Sequence, residues 1–364
     1  MYEGLVILAQ IVDDFVLLEK IMGEFRKGNS RFPIDGPTAK FLEDFVLDLN
    51  AKGLPKMIAE QSRQLNNISG ISYSPQQQMN YNINKYSEDG LLNEKEKAVM
   101  LEASKIIFKK PDLPLLPYEI AFNDLDQTSY LISELIGMNN KIPKVSNASI
   151  SDDLNNGYSF FVGPERYNYS QLHFYLRYAF CAKKIDFDKI DTIVEIGSGS
   201  GRAVELIKRM HPHITFHLFD LGPQLYVANR YLNATMPDDL AEFGISNETC
   251  GKIHFHCHHE IEDFKPSGKV LNWNTLVFCI LEKSTAKTYF DILKSFSDWI
   301  YISEPMTTNL ASKVYNMNSQ ILQQDYEEFL CSTHQLISQQ VDRKPLGNIK
   351  MWDGVNQMLW FKDG

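Results

Sequence analysis

Val194-Glu195-Ile196-Gly197-Ser198-Gly199-Ser200-Gly201-Arg202 is the stretch that decides the fold. Thr192–Ile196 is short and apolar, as a buried strand should be, and Ala203–Met210 has the spacing of a helix. Glycine at 197, 199 and 201 lets the backbone turn sharply out of the strand and approach a ligand closely. The following helix offers free N–H groups and the positive end of its dipole. A dinucleotide-binding turn reads GxGxxG; here the third glycine falls one position early, and Arg202 stands where that pattern takes Gly or Ala. Glu195, two residues ahead of the first glycine, sharpens the difference. Its charge opposes a pyrophosphate and suits a cationic amino-acid group.

Downstream, Thr215–Phe219 is a second apolar strand, and it ends at Asp220, 19 residues past Gly201 (220 − 201). An acid at that point accepts hydrogen bonds from ribose hydroxyls. Adenosine at one end and an ammonium at the other imply S-adenosyl-L-methionine as cofactor, with S-adenosyl-L-homocysteine as product. The expected cofactor-binding residues are Glu195, Gly197, Ser198, Gly199, Gly201, Asp220 and Leu221, joined by His259 and Asn274 from later strand ends. Further on, a helix is predicted over Gln224–Leu232. Strands follow over Lys252–Cys257, Val270–Thr275 and Trp299–Ser303, with helices near 284–296 and 308–340. Ile349–Trp352, Asp353-Gly354 and Val355–Phe361 then read as an antiparallel hairpin. Alternating strands and helices mean a parallel sheet. The expected fold is α/β, a Rossmann-like seven-stranded class I methyltransferase sheet with a terminal antiparallel hairpin.

That domain is expected over residues 158–364, behind a linker at 141–157 and a mainly helical N-terminal domain at 1–140. The polar stretch from Asn139 to Gly157 marks the boundary. Leu5, Leu8, Val12, Phe15, Leu18, Met22 and Phe25 fall on one face of a helix predicted over 3–26, facing the core or a second copy. Other helices are predicted near 37–50, 54–65 and 92–109, with a long polar loop over 62–90. The N-terminal domain is expected to cap the cleft or to form a homodimer. The 364 residues suit two such units, and a net charge of −10 without a basic cluster excludes a dedicated nucleic-acid binder. Five cysteines without a CxxC fit a reducing compartment. With no basic-plus-apolar leader and no apolar run near the ~20 residues of a spanning helix, the expectation is a cytoplasmic protein.

Phe219-Asp220-Leu221-Gly222-Pro223-Gln224-Leu225, followed by Tyr231-Leu232, resembles a block of the sugar O-methyltransferase family. Asn274 to Glu282 is similar to that family's fourth-strand segment, and Tyr167-Asn168-Tyr169-Ser170 stands where its lid helix begins. The resemblance covers about residues 160–300. Gly222 is an insertion before Pro223, and Leu281-Glu282-Lys283 replaces the family's Gln-Glu-Met. The resemblance implies O-methylation of a hydroxyl on a sugar or glycan precursor in polysaccharide biosynthesis. Two alternatives stand beside it: a phenolic or other small-molecule acceptor, and a non-catalytic adenosyl-binding or assembly protein.

Acceptor-side candidates sit at strand ends, where open α/β sheets bind ligands. Glu304 and His258 are the catalytic candidates, and Tyr167, Arg166 and Glu282 the substrate candidates. Strand alternation puts His254, His256 and His258 on one face, a pattern that invites a metal. Such neighbours stand ~6.5–7 Å apart, too far to share an ion comfortably, so no metal is expected and the rings are placed at the surface or an edge.

Overall fold

The computed structural model describes residues 11–28, 31–34, 36–59, 93–99, 130–131, 133–148, 159–162, 165–244, 249–305, 321–341 and 355–362. The N-terminal part is helical, with α1 (Phe15–Lys27), α2 (Gly36–Lys52) and α3 (Leu54–Ala59), and further helical residues at 94–99 and 133–140. A small antiparallel hairpin follows, β1 (Ser159–Val162) with β2 (Glu165–Asn168), and leads into α4 (Tyr169–Ala182). The main sheet is built from β3 (Thr192–Ile196), β4 (Thr215–Asp220), β5 (Ile253–Cys257), β6 (Val270–Thr275), β7 (Trp299–Pro305), β8 (His334–Val341) and β9 (Val355–Lys362). Between its strands run α5 (Arg202–Met210), α6 (Gly222–Thr235), α7 (Lys283–Phe296) and α8 (Gln323–Leu330).

The strand order is β5-β4-β3-β6-β7-β9-β8. β3 to β7 are parallel, β9 runs antiparallel to β7, and β8 antiparallel to β9. This is a seven-stranded, mostly parallel sheet closed at one side by an antiparallel pair, as the sequence leads one to expect. Every residue of β3 is buried, as expected for a central parallel strand covered on both faces. Ile193, Leu218, Trp273 and Tyr301 line one face with the helices α4, α5 and α6. Val194, Phe219, Ile300 and Ile302 line the other, under Ala286, Phe290 and Leu293 of α7.

The end of the chain differs from expectation in one respect. The last two strands are antiparallel, but β9 pairs with β8 at 334–341, part of the region read as helix, rather than with Ile349–Trp352. β9 is hydrogen-bonded to β7 along one edge and to β8 along the other, so neither edge is left for a tight Asp-Gly hairpin. Residues 342–354 lie outside the described residues.

Of the helix expected over 3–26, residues 3–10 lie outside the described residues, and α1 begins at Phe15. The Asp14 carboxylate caps it by accepting from the Leu17 N–H at 2.9 Å. Leu18, Ile21 and Met22 form the buried stripe, while Val12 and Phe15 are 65% and 44% exposed. The expected Leu5 and Leu8 lie outside the described residues. The stripe packs on α6, and this explains the inserted Gly222: a Cβ there would stand 2.9 Å from Cβ of Phe25 and 3.2 Å from Sδ of Met22. Tyr226 of α6 accepts from the Asp14 N–H at 2.9 Å and donates to Asp13 at 3.2 Å. α1 is thus fastened beside the C-terminal ends of β4 and β5.

Candidate functional site

The site forms at the sheet's switch point, where the chain leaves β3 for β4 on one side while β6 lies on the other. Gly197, Gly199 and Gly201 all have positive φ, +75°, +56° and +81°, so each position in the turn requires glycine's freedom. Close packing adds to this. A Cβ on Gly197 would lie 2.7 Å from Val277 Cγ2, and one on Gly201 would lie 2.8 Å from Leu232 Cδ1. The glycine turn therefore fits directly against the loop after β6. Leu276 in that loop is itself held at φ +57°, a conformation costing a non-glycine residue about 1–3 kcal/mol.

Two acids stand under the turn. The Asp220 Oδ2 accepts from the Gly199 N–H at 3.2 Å and the Ser198 hydroxyl at 3.4 Å, and its Oδ1 from the Leu221 N–H at 2.7 Å. Burial outweighs these bonds and pushes the carboxyl up to about 7. Glu195 lies on the same sheet face, 2% exposed, and has no hydrogen-bond partner among the described residues. Burial first, and the Asp220 charge second, raise its pKa well above the carboxylate range. A buried unpaired carboxylate is costly unless a cation or donor meets it. Here the cost falls in a turn shaped for close approach, and the residues fit a ligand with an ammonium group near Glu195 and hydroxyls near Asp220. Leu221, half-buried, follows at the start of α6.

Other candidates fall elsewhere. Glu304 is fully buried, and its carboxylate accepts from the N–H groups of Val277 (2.8 Å), Phe278 (2.9 Å) and Cys279 (3.3 Å). It holds the loop that presses on Gly197. Asn274 is wholly enclosed: its amide nitrogen donates to Asn272 and to the Tyr301 carbonyl (3.3 Å), which directs it into the sheet. Tyr167 is 1% exposed, with its ring 4.7 Å from that of Tyr130, so it does not face an open cleft. Glu282 is exposed at the start of α7, and the side chain of Arg166 lies outside the described residues. His258 and His259 follow β5, one and two residues beyond Cys257, the strand partner of Asp220. His258 is buried against Phe25 and Phe32 of the N-terminal segment. Tyr289 of α7, whose hydroxyl feels the Asp220 charge, joins this corner without any signal in the sequence.

The histidine repeat is not at the surface. His254 and His256 stack on His217 of β4, with ring centroids 4.8 and 5.2 Å away, and Phe264 covers them. Burial pushes His217 down to about 2 and His256 to about 3, so the rings are neutral. His217 Nδ1 and His256 Nε2 are hydrogen-bonded at 2.9 Å. β5 is the edge strand, as expected, but its rings turn into the layer under α7 instead of facing solvent, with His254 buried and His256 half-buried. His258 has left the strand and its face. Among the described residues no group of three His, Cys, Asp or Glu side chains could hold a metal. None of the described helices is long and apolar enough to cross a membrane.

Residues 171–244 match the O-methyltransferase domain family. The match runs from α4 through the glycine turn and Asp220 to the end of α6 and beyond. Among solved structures, the chain is similar to the pyocyanin biosynthetic protein PhzM, at 11% identity over 50% of this chain and 52% of that one, with a TM-score of 0.36. It is also similar to magnesium protoporphyrin IX methyltransferase from Synechocystis with bound S-adenosylhomocysteine (9% identity, 54% and 89% covered, TM-score 0.37). A third is an O-methyltransferase from neocarzinostatin biosynthesis in complex with S-adenosylhomocysteine and 1,4-dihydroxy-2-naphthoic acid (14%, 53% and 55%, 0.37). The chain spans about half the length of the first of these. No curated protein matches it.

Proposed function

We propose that the protein is an S-adenosylmethionine-dependent O-methyltransferase acting on a hydroxyl of a small molecule. The observation that carries this reading is Glu195, a buried acid without a hydrogen-bond partner among the described residues, beneath a glycine turn and beside Asp220. The pairing suits a ligand with an ammonium at one end and a ribose at the other. It disfavours a dinucleotide, whose pyrophosphate would meet the Glu195 charge. The O-methyltransferase domain match over 171–244 supports the same assignment.

When bound, the sulfonium would supply a methyl group to the acceptor oxygen, the S–CH3 bond breaking to leave the neutral thioether of S-adenosylhomocysteine and the hydroxyl giving up its proton. The chain's own residues then have three tasks. The Gly197–Gly201 turn admits the ligand backbone-close, Glu195 holds the amino-acid end, and Asp220 orients the ribose. Fixing both ends restricts the methyl to one line of approach; positioning of this kind supplies about 7–11 kcal/mol in the best intramolecular cases. Glu304 serves indirectly, by anchoring the loop at Val277 that backs the turn.

A sugar or glycan hydroxyl is the acceptor class favoured by the resemblance at Phe219–Leu225. A screen of tritiated methyl transfer to nucleotide sugars, glycans and phenols tests this. Turnover on sugars is expected, and turnover confined to phenols would move the protein to the phenolic class. Donor binding without methyl transfer to any hydroxyl acceptor would overturn the enzymatic reading.

A further inference from the structure

β5 ends the sheet on its side. β4 pairs with one of its edges, and among the described residues a single bridge, from Leu240 to Ile253, pairs with the other. The seam between β4 and β5 carries all three stacked rings. His217 of β4 stands opposite His254, and Phe219 opposite His256. Phe219 lies flat on His256 at 4.6 Å, while Phe264, itself against Phe296 of α7, covers His217 at 4.6 Å and His256 at 5.6 Å. The charges that act on His217 are those of His256 and His254, and on His256 that of His254; each opposes a proton. The charged groups of the surrounding elements are engaged elsewhere: Asp291 of α7 with Lys287 and Lys294, Glu260 with the Cys257 N–H, Glu262 with Arg31, and Lys252 with the Asp238 carbonyl. Asp263 and Lys265 flank Phe264 in sequence and are not among the charges felt by either ring.

His217 Nδ1 and His256 Nε2 share one hydrogen across 2.9 Å. A neutral imidazole has one N–H and one acceptor nitrogen, whereas an imidazolium has two N–H groups and no acceptor. The pair therefore keeps its bond with at most one added proton. A second would set N–H against N–H and charge against charge. Parting β5 from β4 removes this limit, because each ring then meets water and titrates near its ordinary value of about 6.5. We propose that the β4–β5 seam is an acid-operated latch: below about pH 6, proton uptake by its histidines parts β5 from β4 while β3, β6 and β7 stay paired. An edge strand suits such an opening, since one ladder is broken instead of two. Cys257 pairs with Asp220 across this seam. On the adenosyl reading of the site, the same opening loosens its ribose end.

Burial keeps His217 and His256 neutral while the seam is closed, so each favours the open form about 25-fold more at pH 5 than at pH 7, or about 600-fold together. Amide hydrogen exchange on the full chain without ligand, at pH 5, 6 and 7 and in low urea, reads the opening once intrinsic rates are divided out. The amides of Ile253–Cys257 are expected to open about 10²–10³-fold more often at pH 5, with little dependence on urea. Those of Val270–Thr275 should exchange more slowly and with the urea dependence of whole-chain unfolding. His256→Phe keeps the stack and should cut the acid acceleration to about 25-fold, the share of one ring. Should that variant not fold, the unmodified protein decides alone. Amides of β5 that exchange no faster than those of β6, or at a rate unchanged between pH 7 and pH 5, would overturn the proposal. So would histidine 15N spectra in which His217 and His256 titrate near 6.5 with β5 still protected. A failure of S-adenosylhomocysteine to bind at pH 7 bears on the adenosyl reading and leaves the latch untouched.

Discussion

Lowering the pH from 8 to 6 should weaken binding of S-adenosylhomocysteine, through the acids under the glycine turn. Asp220 must be ionised to accept from two ribose hydroxyls, and in the ligand-free protein burial holds it at about 7. At pH 8 roughly ten in eleven molecules have the carboxylate ready, and at pH 6 roughly one in eleven, so apparent affinity falls about tenfold across the window. The sign follows from the direction of the shift: a raised acid is protonated in the free site at pH 6, and binding must expel that proton. Glu195 is raised in the same direction by burial and by Asp220, so its ionisation adds to the slope. Calorimetry at pH 6, 7 and 8, repeated in two buffers of different ionisation enthalpy, reads both the affinity and the protons released. Asp220→Asn should bind more weakly at pH 8 and lose most of the dependence on pH. A flat profile in the unmodified protein, or tighter binding at pH 6, would refute the assignment of these two acids.

Gly197→Ala puts a methyl group 2.7 Å from Val277 Cγ2 on a backbone at φ +75°, and is expected to cost donor affinity tenfold or more, on the order of 1–3 kcal/mol from strain alone. Gly244→Ala, also at positive φ but 3.5 Å from its nearest neighbour, serves as the control that loses stability without losing affinity. Glu304→Ala leaves two buried N–H groups and one half-buried one unmet and should lower stability by about 3 kcal/mol in urea unfolding, with donor affinity falling alongside. A Glu304→Gln protein that keeps its melting temperature and donor affinity but loses turnover would show instead that Glu304 acts on the acceptor. His217 and His256 stay neutral in the fold, while the unfolded chain takes up protons below about pH 6.5. Acid should therefore destabilise the protein, by on the order of 2 kcal/mol per ring at pH 5 relative to pH 7. His256→Phe, urea-unfolded at both pH values, should show a smaller loss; an unchanged loss would mean that the rings are solvated.

The parts of this site legible in the sequence are those whose chemistry is local. Glycines at 197, 199 and 201 announce a turn because no other residue accepts three positive φ angles in a row of five. Asp220 is legible because a strand end is a fixed address in an alternating α/β chain. What stays hidden depends on register and on distant packing. His217 has no special look in Thr215–Asp220, and only the β4–β5 register brings it against His254 and His256. Glu304 reads as a catalytic candidate at a strand end, and that it anchors the loop after β6 shows only once that loop folds back onto it. The partner of β9 is ambiguous for a similar reason. His334–Val341 alternates weakly, and its pairing is decided by the free edge of β9 rather than by its own composition. Gly222, which looks like a departure from the family pattern, is explained only once Phe25 and Met22 of α1 are seen against it.

Titration of the full chain with S-adenosylhomocysteine, beside the same titration with NAD, tests the central claim most directly. One equivalent of S-adenosylhomocysteine is expected to bind with saturation, NAD to give no competition, and Glu195→Gln to weaken the complex. Failure of S-adenosylhomocysteine to bind at high micromolar concentration, or its displacement by NAD, would contradict the account.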